Sequence, residues 1–411
     1  MKRMHVLLLV TVVVGLSAVY LWSRPPEVPP VEEPEAKSVN VTLGIITYDP
    51  VATPHFDYIA NRALVDVNAY AASKGYPYRF DFLSRNTANI SLEMEKGVVD
   101  LSREEGVKIF LGFDSTEYMC ASLSYAIHNH LILIGAPLIH HDSSALPGDV
   151  MFRVGPNLRQ IDKVVASLAE TMKLESALVI YRGLSWGDGI YFALSEAIGE
   201  DRVRNIRYDP KTTDYKMVID LATSEYASLV EKYGAEHTAV IIEGTEIDEL
   251  VQEAASRGEL LSSQWIVLEE STDPYNIEAK LPFLPLGVTN VPLYSVQMEQ
   301  LLDNGIFAEL QVSYASTNPP DGDALSLIDA SFRDSIWIAC LSVMEANSTD
   351  AEVLKGVIPG VANEYTGASG NVFLDVNGDR SVGYGVHRFE TGSWVKVGEY
   401  DAATGVVVLE K

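Results

Sequence analysis

A glycine-flanked serine is the clearest candidate for covalent chemistry in this chain. The run 183–187, Gly-Leu-Ser-Trp-Gly, has the G-x-S-x-G spacing of the nucleophile elbow of serine hydrolases, and it lies between a predicted strand and a predicted helix. No His-Gly-Gly segment that could form an oxyanion hole precedes it, and the glycines at 187 and 189 weaken the start of the helix. An exported hydrolase that uses Ser185 is therefore the enzymatic alternative, and we expect a protein that is not an enzyme.

Four of the eight histidines cluster in the sequence, at His128, His130, His140 and His141. The predicted strand 131–134 separates the two pairs, and at about 3.3 Å per residue they lie on the order of 15 Å apart. The two pairs therefore cannot share one metal ion. His140 and His141 could still supply two metal ligands or donate to a bound molecule, or they are surface loop residues.

A second possible metal site is a run of acidic and amide residues near the C-terminus. Asp375, Asn377 and Asp379 resemble the start of a calcium-binding loop, but Val386 stands where such a loop needs a glutamate. A plain Asn-Gly turn explains the run. The sequence contains no phosphate-binding P-loop, so we expect no cofactor and no metal.

The elements that must position these residues alternate between β-rich runs and amphipathic helices from residue 39 onward. Strands are predicted at 41–47, 78–83, 107–111, 131–134, 177–181, 203–208, 238–242 and 265–268. Alternation of this kind produces mostly parallel sheets with helices on both faces.

Eight strands are too many for one modest sheet, and the pattern pauses at 152–156 and at 273–292. The fold class predicted is therefore α/β, with two Rossmann-like lobes, each with a parallel sheet, joined by crossover hinge strands. Lobe 1 is predicted to hold residues 39–155 and 291–378, and lobe 2 residues 156–290 and 379–411.

Several polar or aromatic residues share one position relative to these strands. Each follows the carboxyl end of a predicted parallel strand: Ser115, Thr116, His140, Trp186, Glu243 and Glu269. In open α/β sheets ligands bind at that edge. Two lobes with such edges facing each other would form a ligand cleft.

Five local motifs, in order, resemble those of type I periplasmic binding proteins, the branched-chain amino acid and amide receptors of ABC transporters. Residues 152–156 resemble the Phe-Arg-x-x-Pro segment at the first crossover, and 181–189 resemble the family's Tyr-Gly-x-Gly turn. Residues 265–269 resemble its Trp-Phe-x-x-(Asp/Glu) strand end. Residues 366–380 match its Gly-x-x-Gly-x-x-x-Phe-Asp-x-Asn-Gly-Asp-Arg run, and 392–398 match its Gly-x-Trp-x-x-Val-Gly finish.

The resemblance implies a set of ligand-binding residues in the first lobe. Thr116 has the spacing of the family's carboxylate-binding hydroxyl at a helix N-terminus, and the neighbouring Ser115 is the alternative candidate. A helix N-terminus there would favour an anion on physical grounds as well. The next family segment, Ser-Pro-Ala-Ala-Thr, corresponds to 136–140, which contributes Leu138 and replaces the threonine with His140.

In the second lobe the resemblance assigns two further roles. Trp186 stands at the position of the ring that covers the ligand, and Glu269 stands at the position of the acid that holds an ammonium group. Glu243 joins the candidate set because it ends a predicted strand at the same edge.

The N-terminal residues predict where the protein is located. Lys2 and Arg3 precede an uncharged apolar run at 6–22, the short end of what spans a bilayer, and no small-x-small cleavage site follows it. We therefore predict a signal peptide or membrane anchor at 1–23 and a stiff linker rich in proline and glutamate at 24–38.

Composition narrows the possible partners. The formal net charge is −27, from 30 basic and 57 acidic residues, so nucleic acid is excluded as a partner. We expect a monomeric, extracytoplasmic solute-binding protein of an ABC transporter. It would bind an amino acid, an amide or a related small polar solute and present it to a membrane permease. A ligand-sensing ectodomain is a further alternative.

Overall fold

Runs of β-branched and aliphatic residues form the buried strands of two sheets. The computed structural model describes residues 38–47, 52–87, 91–113, 115–136, 148–156, 159–183, 185–244, 247–268, 292–298, 304–317, 325–390, 393–401 and 404–410. The predicted anchor, the linker up to residue 37, Leu138, His140 and Glu269 lie outside these ranges.

The elements follow one another along the chain with few long connections. The strands are β1 (Val39–Thr47), β2 (Tyr78–Asn86), β3 (Ile109–Gly112), β4 (Ile132–Gly135), β5 (Met151–Pro156), β6 (Ser176–Arg182), β7 (Val203–Tyr208), β8 (Thr238–Glu243), β9 (Gln264–Leu268), β10 (Leu293–Met298), β11 (Thr366–Gly367), β12 (Gly370–Asn371), β13 (Phe373–Leu374), β14 (Asp379–Ser381), β15 (Tyr384–Glu390), β16 (Ser393–Asp401) and β17 (Val406–Leu409). The α-helices are α1 (Ala52–Ser73), α2 (Ser91–Glu104), α3 (Thr116–His128), α4 (Arg159–Thr171), α5 (Ser185–Ile198), α6 (Lys216–Tyr233), α7 (Ile247–Ala255), α8 (Gly305–Ala315), α9 (Leu327–Ala346) and α10 (Ala351–Glu364).

The strands form two large, mostly parallel sheets. The first has the order β13-β14-β5-β4-β3-β1-β2, and the second has the order β17-β16-β15-β10-β9-β8-β6-β7. Pairing is parallel from β14 through β5, β4 and β3 to β1, and from β10 through β9, β8 and β6 to β7. The C-terminal strands β15, β16 and β17 add an antiparallel edge. The predicted α/β class with two lobes is confirmed.

The central strands are mostly apolar because helices cover both faces of each sheet. Every residue of β3, β4 and β8 is buried. Strands buried on both faces read as continuous apolar runs, which is why the sequence pattern located them.

The chain passes between the sheets after β5, after β10 and after β14. The residues at 152–156, where the predicted strand-helix pattern pauses, belong to β5. The pattern pauses there because Arg153 interrupts the apolar run. Sheet membership would shift two of the predicted lobe boundaries, since β10 pairs in the second sheet and β14 in the first. The division at 155, 290 and 378 itself stays a prediction.

A buried ion pair joins two of the crossover strands. Arg153 of β5 donates two hydrogen bonds to the carboxylate of Asp379 in β14, at 2.5 and 2.6 Å, and both side chains are fully buried. The neighbouring Arg380 donates to the carbonyl of Val154 (3.2 Å) and to the hydroxyl of Ser369 (2.7 Å). These contacts hold β14 against β5 within the first sheet.

Candidate functional site

The carboxyl edge of the first sheet contains a tight turn between β3 and α3. Gly112 has φ +92°, and a Cβ there would lie 2.4 Å from the carbonyl oxygen of Ile46 in β1. Phe113 also has a positive φ, 59°, and its amide donates to the same carbonyl (2.8 Å). The glycine is therefore required at this position, because it lets the chain pass close over β1 before entering α3.

The first turn of α3 presents the two hydroxyls that the sequence singled out. Ser115 is the N-cap, and its Oγ accepts a hydrogen bond from the amide of Glu117 (3.2 Å). Thr116 begins the helix and is 1% exposed. Ser115 therefore stabilises the N-terminus of α3, while Thr116 is buried at the edge of the sheet.

At the carboxyl edge of the second sheet, three polar side chains from neighbouring strands form a row. Tyr181 of β6 is the register partner of Glu243 at the end of β8 and of Arg207 near the end of β7. Register partners in a sheet point to the same face. Tyr181 and Glu243 are each 1% exposed, and the Arg207 side chain is half-exposed.

This row is connected to α5, the helix that follows β6. The Tyr181 hydroxyl donates to Asp188 Oδ1 in the first turn of α5 (2.7 Å) and accepts from Asn205 Nδ2 (3.1 Å). Arg207 Nε donates to the same Asp188 oxygen (3.2 Å). Burial, together with the hydrogen bond to Asp188, raises the pKa of Tyr181 to about 12, so it remains a protonated donor near neutral pH.

Two glycines allow α5 to lie directly on these strands. A Cβ on Gly187 would lie 2.1 Å from Cδ2 of Tyr181, and a Cβ on Gly183 would lie 2.8 Å from the carbonyl oxygen of Tyr208. From the sequence alone, the glycine at 187 is expected to weaken the start of the helix. In the structure it is needed because any larger residue would push the helix off the tyrosine ring.

The same turn bears on the hydrolase alternative. Ser185 is the first residue of α5 and does not have the positive φ found at Phe113. A nucleophile elbow instead places its serine at the sharp, strained point between strand and helix. The local backbone at Ser185 is that of an ordinary helix start.

The structure places four of the seven predicted site residues at the two sheet edges, and the other three lie outside the described residues. Ser115 and Thr116 lie at the edge of the first sheet, while Glu243 and the helix turn that contains Trp186 lie at the edge of the second. All seven, Leu138, His140 and Glu269 included, stay predictions as ligand contacts. Within the described ranges, no group of three or more His, Cys, Asp or Glu residues could hold a metal ion.

Three residues of this sheet edge were not among the predicted site residues: Tyr181, Asp188 and Arg207. Asp188 had a local signal, an acidic residue in the first turn of a predicted helix. Tyr181 and Arg207 are near the ends of predicted strands, but only the register of β6 and β7 reveals that they are neighbours.

Comparison with known proteins agrees with this architecture. No family model matches the chain. An uncharacterized protein of Methanocaldococcus jannaschii is 24% identical over 399 residues, which cover 90% of this chain and 89% of that protein.

Solved structures share the fold over nearly the whole chain. A leucine-binding protein of Thermotoga maritima has a TM-score of 0.61 at 16% identity and covers 89% of this chain and 99% of its own. A branched-chain amino acid transporter substrate-binding protein of Streptococcus pneumoniae, in complex with isoleucine, has a TM-score of 0.59 at 13% identity, with 87% and 98% covered. A solute-binding protein of R. palustris, in complex with benzoate, has a TM-score of 0.57 at 13% identity, with 91% and 98% covered.

These likenesses define the class of fold. The chain has the type I periplasmic binding protein fold, as its sequence motifs predicted. Within the described ranges, none of the helices combines the length and apolar character needed to cross a bilayer.

Proposed function

We propose that this protein is an extracytoplasmic solute-binding protein that binds a small carboxylate-containing solute between its two lobes. The observation that supports this most is the matched construction of the two sheet edges. At each edge a strand leads through a tight, glycine-containing turn into a helix, α3 in one sheet and α5 in the other. Ligands of open α/β sheets bind at such edges.

The proposed carboxylate is the group shared by the ligands of two of the similar solved structures. Isoleucine and benzoate both carry a carboxylate, but only isoleucine carries an ammonium group. The first turn of α3 suits an anion because the helix dipole places partial positive charge at its N-terminus. We assign carboxylate binding to this turn and to the hydroxyl of Thr116.

The second lobe would recognise the rest of the solute. Trp186 would cover it, and Glu269 would pair with an ammonium group. Glu243 places a carboxyl group at the same edge, where it lies buried in register with Tyr181. Leu138 and His140 would contact the solute from the first lobe. Closure would be a hinge motion, driven by contacts that the solute makes to both lobes at once.

The cellular setting is part of the same proposal. A protein of this kind acts outside the cytoplasmic membrane, and residues 1–23 would attach it there. It would deliver its solute to the permease of an ABC transporter. No covalent chemistry is required, and the helical backbone at Ser185 supports a protein that is not an enzyme.

The test begins with native mass spectrometry of the full-length protein, purified gently in detergent, to look for a retained small molecule. Calorimetry with isoleucine and with benzoate follows. Thr116→Val keeps the side-chain volume and removes the hydroxyl, and we expect it to weaken binding of either probe about tenfold. Thr223→Val is the matched control, since the Thr223 hydroxyl bonds only within α6, to the carbonyl of Ile219. Ester cleavage that disappears in Ser185→Ala would contradict the proposal.

A further inference from the structure

The first turn of α5 is held from two strands at once. Asp188 accepts hydrogen bonds from Tyr181 of β6 (2.7 Å) and from Arg207 of β7 (3.2 Å). Arg207 also donates to the carbonyl of Gly183, at the other end of the turn (3.1 Å). Gly183, just before the helix, and Asp188, in its first turn, are therefore both held by side chains from the sheet.

The packing beneath the turn is equally specific. The ring of Tyr181 fills the space below Gly187, where a Cβ would meet its carbons at 2.1, 2.5 and 2.7 Å. Tyr181 is 1% exposed, and it packs in the same apolar cluster as Ile190 and Leu194 of α5. A shift of α5 would thus break the hydroxyl contact to Asp188 and the ring contact to Gly187 together.

We infer that Tyr181 and Asp188 are positioning residues that set where the N-terminus of α5, and with it residue 186, lies over the edge of the second sheet. They act through the helix and not through direct contact with a solute. The inference rests on the proposed function in so far as residue 186 is a ligand contact. The raised pKa of Tyr181 agrees with it, because the hydroxyl stays a donor to Asp188.

The alternative is a merely structural role, in which these contacts stabilise the whole lobe equally. The two roles differ in which part of the protein loosens when the contacts are removed. Loss of a positioning contact loosens residues 186–189 and leaves the rest of the helix and the sheet in place. Loss of a general stabilising contact loosens the whole lobe.

Hydrogen–deuterium exchange of the full chain, followed by mass spectrometry, tests this directly. We expect Tyr181→Phe and Asp188→Ala to raise the exchange rate of amides 188 and 189, the first that bond within α5, about tenfold, with amides 192–198 and those of β8 unchanged. Asp188→Asn keeps an oxygen that accepts from Tyr181, so it should stay within about threefold of the wild type. Tyr226→Phe is the matched control, because Tyr226 is 2% exposed and its hydroxyl bonds to Ser262 and Ser263 elsewhere in the second lobe.

Binding of isoleucine and benzoate is measured on the same variants. Weaker binding of a probe by Tyr181→Phe, with Tyr226→Phe unaffected, supports the inference. If neither probe nor any retained solute binds the wild type, the proposed function fails, while the exchange rates still decide the positioning role. Equal exchange at amides 188 and 189 in Tyr181→Phe and the wild type would overturn the inference, and so would a uniform increase across the lobe. If Tyr181→Phe does not fold, Asp188→Ala against Asp188→Asn gives the same comparison.

Discussion

Tyr181 and Glu243 lie side by side in the parallel strands β6 and β8, and both are almost completely buried. The tyrosine hydroxyl donates to Asp188 of the overlying helix. Tyr181 thus connects strand β6, in register with the strand-end residue Glu243, to the helix turn that contains Trp186. The geometry of this edge depends on the contacts of that ring.

The close approach of α5 to Tyr181 predicts that Gly187 tolerates no side chain. Gly187→Ala should lower the free energy of unfolding by about 1–3 kcal/mol, because the new Cβ overlaps the tyrosine ring. Gly356→Ala in α10 is the matched control, since a Cβ there meets nothing within 4 Å. It should raise stability by about 0.5–1 kcal/mol. Urea unfolding measures both, and equal effects of the two substitutions would contradict the packing described.

The buried pair of Arg153 and Asp379 predicts strong non-additivity. Arg153→Met or Asp379→Leu alone should lower the free energy of unfolding by about 3–5 kcal/mol, because each leaves one buried charge without its partner. The double variant should recover most of that loss, since neither charge remains. Lys96→Ala provides the exposed comparison, because its pair with Asp100 in α2 should contribute at most about 0.5 kcal/mol. Additive single losses would count against a coupled pair.

If Trp186 covers the bound solute, its removal should weaken binding without unfolding the protein. Loss of an aromatic face is worth about 1–3 kcal/mol, so Trp186→Ala should raise the dissociation constant of a bound probe roughly 5- to 150-fold. Trp186→Phe keeps a ring and should retain most of the affinity. Calorimetry with isoleucine or benzoate decides the matter, and an unchanged constant in Trp186→Ala would remove residue 186 from the site.

The acid at position 269 should distinguish the two probes. If Glu269 pairs with an ammonium group, Glu269→Gln should weaken isoleucine binding at least about 30-fold, because truncating one partner of a desolvated pair costs about 2–5 kcal/mol. Benzoate lacks the ammonium group, so its affinity should not fall. Glu270→Gln is the control, because it removes the same charge one position further along the chain. An essential Glu270 with a dispensable Glu269 would mean that the assignment of the acid is off by one residue.

The two cysteines should react at very different rates. Both thiols are free. Burial raises the pKa of the Cys340 thiol well above its usual value. Burial also raises the pKa of the Cys120 thiol, against the opposing effect of Arg153, but Cys120 is only half-buried. At pH 7.5 iodoacetamide should label Cys120 slowly and Cys340 about 100-fold more slowly still, because Cys340 becomes accessible only on unfolding. Similar rates in the native protein would show that α9 opens more readily than its burial suggests.

Much of the fold could be predicted because the relevant patterns are local. The fully buried strands β3, β4 and β8 are mostly apolar, and each lies within a residue or two of its predicted range. Strand β5 was missed as a strand because Arg153 interrupts its apolar run, and an arginine is buried there only with the carboxylate of Asp379 beside it. That carboxylate lies 226 positions further along the chain.

The sequence by itself determined the α/β class and most strand ends to within a residue or two, because hydrophobic periodicity depends on residues close in the chain. The helix start at Ser115 and Thr116 was implied by the family resemblance. Only the tertiary structure decided which strand ends are neighbours. The row of Arg207, Tyr181 and Glu243 and the contact of Tyr181 with Gly187 depend on strand order, register and helix packing. Those follow from the packing of the whole lobe, which no short stretch of sequence encodes.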